Sequence, residues 1–180
     1  MAIFDLVGLV IMAAAATPPS APQAEPSCIV DALPPSTREA LVRKAADGAT
    51  SRDSAVMQES EGPAKIAFQT CAQKYEWSDE EKKIALQAFV YGLRQEASIV
   101  RLQANGLSEA DARKMFESLP MSMRDAIFGK RPMTDAEMDV LRLAFERLVK
   151  RLDGPDGNAL SGYVTARAGY DYYSGQLARP

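Results

Sequence analysis

Apolar residues recur at steps of three and four over residues 78–106, the longest periodic run in the chain. This spacing is typical of an amphipathic helix that lays one face on a core. Ser78 and Glu81 have the spacing of a capping box, and Gly106 suits the left-handed turn that ends a helix. The pattern therefore predicts one long central helix from Asp79 to Asn105. Its apolar stripe consists of Leu86, Phe89, Leu93, Ala97, Val100 and Ala104, widened by Ile84, Val90 and Ile99.

A second regular run follows Thr134, which has the position of another N-terminal cap, and predicts a helix from Asp135 to Leu152. Its acids come early and its bases late, which complements the helix dipole. Gly92 indicates that another helix crosses the long one closely, because a helical glycine otherwise costs about 1 kcal/mol relative to alanine. We expect this second helix to be the one that crosses. Its apolar positions are Met138, Leu141, Phe145, Leu148 and Leu152.

Shorter helices are expected on both sides of the long one. Ser36 opens a capping-box pattern for a helix that Gly48 stops, and residues 48–62 lack a sustained period and read as a surface loop. Pro63 suits the first turn of the next helix. Two more short helices are predicted over residues 108–120 and 122–128, and the first of them points Met115, Phe116 and Leu119 toward the core.

The C-terminal residues give a weaker pattern. Residues 153–158 combine glycine, proline, aspartate and asparagine and predict a turn. A last helix after Leu160 would carry tyrosines on one side, but its glycines each weaken it by up to about 1 kcal/mol. Those glycines are Gly162, Gly169 and Gly175.

The fold class that follows is all-α, because no run of alternating β-branched residues predicts a strand. We expect a small single-domain bundle of about five to seven helices around one long central helix, without a sheet. Residues 27–152 form the helical domain in this prediction, and residues 153–180 form a Gly/Tyr-rich C-terminal segment.

The N-terminus resembles an export signal. Residues 1–16 form an apolar run too short to span a bilayer, and Ala14 and Ala16 satisfy the small-residue rule for cleavage before Thr17. Residues 17–26 contain four prolines and predict an extended linker. Asp5 and the lack of a basic residue depart from the usual pattern, so a misassigned start codon and a buried N-terminal helix stay open. The favoured prediction is a signal peptide, a periplasmic or secreted protein, and no stable membrane span after its removal.

Charge and composition exclude several classes of function. The chain of 180 residues carries 21 Lys and Arg against 24 Asp and Glu, a net charge of −3, and the signs are mixed along it. This disfavours nucleic-acid binding, because contacts to phosphates need clustered Lys and Arg side chains. There is no histidine, which removes Ser-His and Cys-His catalysis and most zinc and haem ligation.

Cys28 and Cys71 are the only cysteines. In an oxidising compartment they are expected to form a disulfide that clamps the entry segment onto the helix before the long one. The alternative is two unrelated thiols, with Cys71 as a small core residue.

The methionines permit a second hypothesis. Five of the eight lie between Met115 and Met138, and thioethers bind Cu(I) without histidine. The candidate ligands are Met121, Met123 and Met133. Core packing or a soft partner-binding surface is the favoured interpretation, since methionine fills irregular gaps.

Tyrosines concentrate near the C-terminus and give a candidate partner-binding patch, since tyrosine combines a large rigid ring with a polar tip. Its members are Tyr163, Tyr170, Tyr172 and Tyr173. The alternative, which we favour, is that these rings seal one edge of the helical core.

No catalytic or cofactor-binding motif is present, and the acids at Asp79, Glu80 and Glu81 are explained by capping and the helix dipole. The sequence therefore favours an exported, non-catalytic helical domain that binds an unknown protein partner or has an envelope-associated role, without a cofactor or a resident metal. The alternatives are a methionine-based Cu(I)-handling protein and a hydrolase whose carboxylates are not identified.

Overall fold

The computed structural model describes Glu25, residues 27–47 and residues 54–178, the last range with side chains from residue 62 onwards. The predicted leader and nearly all of the predicted linker lie outside these residues. The described residues are all-helical, without a strand, which confirms the predicted fold class. They form α1 (Cys28–Ala32), α2 (Pro35–Ala46), α3 (Ser54–Lys74), α4 (Asp79–Ala104), α5 (Glu109–Ser118), α6 (Met121–Ile127), α7 (Asp135–Glu146) and α8 (Pro155–Leu177). The sequence did not indicate α1 as a helix, because five residues are too few to show a period.

The capping box predicted at Ser78 and the N-terminal cap predicted at Thr134 are both present. The Ser78 hydroxyl accepts a hydrogen bond from the Glu81 amide at 3.3 Å, and the Glu81 carboxylate accepts one from the Ser78 amide at 2.7 Å. Thr134 and Glu137 make the same reciprocal pair at the start of α7. Gly106 ends α4 with φ +73°, the left-handed conformation predicted for it.

α4 and α8 run antiparallel and connect the two hydrophobic clusters of the described residues. The disulfide cluster contains the buried residues Ile29, Leu33, Ala67, Cys71, Tyr75, Trp77, Ala85, Ala88, Phe89 and Leu177. The α5–α8 cluster contains the buried residues Leu102, Ala112, Met115, Phe116, Leu119, Met123, Val149, Ala159, Leu160, Tyr163, Val164 and Ala168. The first half of α4 and the end of α8 belong to the disulfide cluster. The second half of α4 and the first half of α8 belong to the α5–α8 cluster.

The close crossing predicted at Gly92 exists, but the predicted partner helix is wrong. A Cβ on Gly92 would lie 3.4 Å from the ring of Tyr170, so the crossing helix is α8 and not α7. The reverse contact is tighter, because a Cβ on Gly169 would overlap the ring of Tyr91. Each helix thus presents a Tyr next to a Gly, and each tyrosine ring lies over the glycine of the other helix. Gly169, one of the glycines that weakened the prediction of α8, is thus needed for the close approach of α8 to α4.

The apolar stripe predicted for α4 is only partly buried: Phe89 and Ala97 are buried, and the partly buried Ile84, Leu93 and Ile99 pack against the two clusters. Leu86 and Val100 are 46% and 45% exposed, and Ala104 is also exposed. Small residues dominate the buried side, which includes Ala85, Ala88, Gly92, Ala97, Ser98 and Leu102. Small side chains give a weak hydrophobic signal in the sequence, yet they permit the close approach of two helices.

α2 lies along a different side of α4 and has no buried residue. The Arg38 guanidinium donates two hydrogen bonds to the Glu96 carboxylate, at 2.9 and 3.0 Å. The Arg101 guanidinium donates to the backbone carbonyls of Ala45 and Ala46, at 2.7 and 2.6 Å. Polar bonds from α4 therefore contribute much of what holds α2 in place, including a cationic cap on its last carbonyls.

The starts of α2, α3 and α8 differ from the prediction. α2 begins at Pro35 with no side-chain cap, so Ser36 is not its N-cap, because proline itself suits the first position. α3 begins at Ser54, within the predicted surface loop, and carries Pro63 inside it, since the residues before the proline are mostly good helix formers. α8 begins at Pro155, so only the first part of the predicted turn is outside a helix. α8 also enters both hydrophobic clusters, so residues 155–177 belong to the bundle itself.

The predicted disulfide between Cys28 and Cys71 is present, with the two Cα atoms 6.0 Å apart. It joins α1 to α3 beside Ile29 and Leu33 in the disulfide cluster. The bond closes a loop with a sequence separation of 43 residues, which in the chain-entropy model stabilises the fold by about 4 kcal/mol.

We expect Gly169→Ala to lower the free energy of unfolding by about 1–3 kcal/mol, because the new methyl group overlaps a Tyr91 ring that is itself packed against other aromatic rings. Urea denaturation measures the change. Gly175→Ala on the same helix is the matched control: among the described residues, no atom beyond its chain neighbours and the adjacent helical backbone lies within 4 Å of the place that its new methyl group would take, and it should stabilise by up to about 1 kcal/mol. Equal effects of the two substitutions would contradict the packing described for Gly169.

Candidate partner-binding surface

The structure separates the methionines proposed as copper ligands. Met121 is 69% exposed and Met123 is 3% exposed, although both lie on α6. Residues two apart on a helix point about 200° apart around its axis. The two thioethers of the Met-Ser-Met sequence therefore point in opposite directions and do not converge on one ion. Met133 is half-buried in the turn before α7.

Tyr163 does not belong to a surface patch, which corrects its assignment as a candidate partner-binding residue. Its side chain is fully buried in the α5–α8 cluster. Its hydroxyl has no hydrogen-bond partner among the described residues, and burial raises the pKa of the phenol. A docking partner cannot reach this ring while the core is folded.

The other three tyrosines lie at the side of the molecule where α4, α6 and α8 meet. Tyr170 covers Gly92, and Tyr172 and Tyr173 pack against Phe128 with ring centroids 4.9 and 5.5 Å away. The Lys130 ammonium lies 4.1 Å from the centroid of the Tyr172 ring. These rings are half-buried and much of their surface is used in contacts within the chain. Their role in partner binding stays a prediction.

α7, like α2, has no buried residue, although most of its residues are apolar. Leu141, Ala144 and Phe145 pack against the α5–α8 cluster, as the periodicity predicted for Leu141 and Phe145. Met138, which was also assigned to the core, is 49% exposed, and so are Val140 and Leu143. The apolar arc of α7 is thus wider than the side that the core covers.

The uncovered part of this arc has a regular geometry. Ala136, Val140, Leu143 and Arg147 follow steps of four, three and four, so they lie along one line of the helix surface. We call these four residues the open face of α7. Steps of three and four are the spacing with which one helix packs against another. The sequence contains this second stripe, but the neighbouring stripe through Leu141 and Phe145 gives the stronger signal and hides it.

α7 ends earlier than predicted, at Glu146, with Arg147 as its C-cap. The backbone amide of Lys150 donates to the Asp156 carboxylate at 2.9 Å, and Val149 is buried in the α5–α8 cluster. These contacts hold the segment after α7 against the start of α8 in a non-helical conformation. Leu152, which the prediction placed in the core, is 38% exposed as a consequence.

Polar bonds fix the first turn of α7. The Arg131 guanidinium donates to both oxygens of the Glu137 carboxylate and, at 2.8 Å, to the backbone carbonyl of Ser122. The same carboxylate accepts bonds from the Thr134 amide and hydroxyl. The Arg131 bonds, followed by the bond from the Thr134 amide, lower the pKa of Glu137 from 4.5 to about 2. Arg131 thus ties the start of α6 to α7 and holds the open face at a defined position.

Other features give no stronger candidate. A surface pocket lined in part by Asp111 and Arg147 has a volume of about 270 Å³. This volume is smaller than that of typical ligand pockets. Asp79 and Glu80 are exposed and pair with lysines one helical turn away. In the described parts of the chain, no group of three or more acidic or cysteine side chains is placed to hold a metal ion. The helices there are also too short or too polar to cross a membrane.

No known protein family, curated protein or solved structure matches this chain. The candidate site is defined by the geometry of α7. The residues that carry it are the open face of α7 and the Arg131–Glu137 pair that anchors the helix.

The stabilisation from Glu137 should depend on pH. Because its folded pKa of about 2 lies below the ordinary 4.5, the contribution is complete above pH 4.5 and is lost as the pH falls toward 2. Glu137→Gln should therefore be less stable than the wild type at neutral pH, and this difference should shrink between pH 4.5 and 2. Urea denaturation across that range measures it.

Arg131→Met removes the donor and leaves the carboxylate, so its deficit should shrink over the same interval. A deficit that stays constant down to pH 2 in both variants would contradict the assignment of the Arg131–Glu137 pair.

Proposed function

We propose that this protein is an exported helical domain that binds a helix of another polypeptide through the open face of α7. The observation that carries the proposal is the pair Val140 and Leu143, each about half exposed on one line of a helix. Complete burial of a Val or Leu side chain contributes about 1.5–3 kcal/mol. The exposed halves of the two residues therefore offer binding energy to a partner that covers both.

The spacing defines the shape of that partner. A stripe with steps of three and four fits a second amphipathic helix, whose own apolar residues fill the spaces between Val140 and Leu143. Arg131 and Glu137 hold the helix from its first turn, so the stripe needs little ordering when the partner arrives. Preorganisation of this kind reduces the entropy lost on binding.

Export is supported by the sequence and by the disulfide. The predicted leader at residues 1–16 ends in small residues, and a Cys28–Cys71 bond is stable in an oxidising compartment. Both agree with a periplasmic or secreted protein that functions by binding. The Cu(I) alternative has less support, because Met121 and Met123 point away from each other.

Export predicts a specific chemical form of the protein in its native cells. Protein recovered from the exported fraction should begin at Thr17 or near it, and its mass under non-reducing conditions should be 2 Da below that of the dithiol. N-terminal sequencing and intact mass spectrometry measure both. A chain with its original Met1 and two free thiols, recovered from the cytoplasm, would contradict export.

Site-specific photo-crosslinking tests the binding surface in the cell. A benzoylphenylalanine at position 143 should give a discrete crosslinked product, and mass spectrometry should place the crosslink on a helix with apolar residues at steps of three and four. Thr165 is exposed on α8 and is the control position, where no such product is expected. Absence of a product at positions 140 and 143 in correctly folded protein would refute the proposed function.

A further inference from the structure

The two sulfurs of the Cys28–Cys71 disulfide lie in different surroundings. Cys71 is fully buried in the disulfide cluster, whereas Cys28 lies in α1 and is only partly buried. Thiol–disulfide exchange begins when a thiolate attacks one of the two sulfurs, and the other sulfur then leaves. The sulfur of Cys28 is therefore the one that a reductant reaches, and Cys71 is the leaving group.

Few contacts besides the disulfide hold α1. The helix has five residues, which is too few for a helix that is stable by itself. Ile29 is its buried residue, and Leu33, its C-cap, is also buried, whereas Asp31 and Ala32 are exposed. Two buried side chains offset only part of the entropy that is lost when this segment is ordered. The covalent bond therefore supplies much of what keeps α1 in place.

The other helices have contacts that do not pass through α1. Arg38 binds the Glu96 carboxylate and Arg101 binds the last carbonyls of α2, so α2 is attached to α4 directly. Among the described residues, neither the crossing of α4 and α8 nor the α5–α8 cluster uses a residue of α1. The core position of Cys71 accepts a neutral thiol, because free cysteine behaves as a small apolar residue. Reduction thus removes support mainly from α1.

A defined hinge separates α1 from α2. Leu33 has ψ +139° and Pro34 has ψ +135°, so the chain is extended at both residues. Each of them precedes a proline, whose ring disfavours the helical conformation of the residue before it. α1 and α2 therefore do not form one continuous helix, and α1 can move while α2 stays in place.

We propose that the disulfide is a redox switch that controls α1: a dithiol reductant releases α1 from the disulfide cluster, while α2–α8 stay folded. In the oxidised protein, Ile29 and Leu33 are buried in the cluster. In the reduced protein they leave it, and the apolar surface that they covered becomes exposed. The inference goes beyond the proposed function and does not use the open face of α7.

The reaction follows from the accessibility of the two sulfurs. A thiolate of the reductant attacks the sulfur of Cys28, which forms a mixed disulfide there and expels the thiolate of Cys71, and this thiolate takes up a proton. The second thiol of the reductant then attacks the reductant's own sulfur in the mixed disulfide. This step forms the internal disulfide of the oxidised reductant and releases Cys28 as a thiol. The protein gains two electrons and two protons, and the dithiol loses the same.

Export, which is part of the proposed function, gives both redox states a place. Thiols stay reduced in the cytoplasm, whereas disulfides form and persist in the periplasm and outside the cell. α1 would then join the folded domain only after the chain has left the cytoplasm. The order of events is folding of α2–α8 first and closure of α1 afterwards.

Two-dimensional NMR of the isotopically labelled full chain, with and without dithiothreitol, tests the switch. The amides of Asp31 and Leu33 donate to the carbonyls of Ser27 and Val30 at 3.0 and 3.3 Å in the oxidised protein. On reduction, the signals of α1 should move to the positions of an unfolded chain, and hydrogen exchange of these two amides should speed up by about tenfold or more. The signals of α5 should not change. Unchanged signals from α1, or loss of the signals of all helices together, would overturn the proposal.

A variant without the disulfide separates release of α1 from other effects of the reductant. Cys28→Ser combined with Cys71→Ala keeps an apolar residue at the core position. Without any reductant, this double variant should give the α1 signals of the reduced wild type, and dithiothreitol should not change them further. A double variant whose α1 signals match those of the oxidised wild type would contradict the switch.

Glutathione tests which sulfur is attacked. As a monothiol it cannot complete the second step from within the mixed disulfide, so the first adduct can be trapped by acid and located by peptide mass spectrometry. The earliest adduct should lie on Cys28. An earliest adduct on Cys71 would contradict the attack at the partly exposed sulfur.

These measurements use purified protein and do not depend on export. If reduction releases α1 but the native protein is found in the cytoplasm with Met1, the switch stands and export is wrong. If the protein is exported but α1 keeps its place on reduction, export stands and the switch is wrong.

Discussion

The packing of α4 against α8 determines the arrangement of the other helices. Tyr91 lies over Gly169 and Tyr170 lies over Gly92, so the two helices approach closely at their middles and fill the space that the glycines leave. Both helices continue into the two hydrophobic clusters. A change in their separation would therefore alter the cluster around the disulfide and the cluster around α5 together, because packed cores transmit small shifts instead of absorbing them.

The sequence predicted where α4 and α7 begin, but it did not predict which helix packs against α4. The capping boxes at Ser78 and Thr134 are local, since all of their atoms come from four consecutive residues, and both are present. Helix pairing is not local. The periodicity of Leu86 and Val100 indicated an apolar side of α4, but the side against α8 consists mostly of small residues whose contribution to hydrophobicity is low. The same limitation led to a wrong partner for Gly92.

Residues that cluster in the sequence do not all lie together in the structure, because neighbouring positions of a helix point in different directions. Met121 and Met123 are close in sequence but lie on opposite sides of α6. Tyr163 is buried in the α5–α8 cluster, whereas Tyr170, Tyr172 and Tyr173 are only half-buried. The open face of α7 was available from spacing alone, because Ala136, Val140 and Leu143 follow helical steps. Only the structure indicates that the described residues leave this stripe uncovered, whereas they cover the stripe beside it.

The disulfide also changes the topology of the chain. Because Cys28 is bonded to Cys71, the backbone between them forms a covalent ring that contains α2 and the connection from α2 to α3. A single backbone cleavage within this ring opens it without dividing the protein into two molecules. The fragment that carries α2 would stay attached to α3 through sulfur and could keep its bonds to Glu96 and Arg101. A single cleavage between α2 and α3 therefore cannot release α2 unless the disulfide is also reduced.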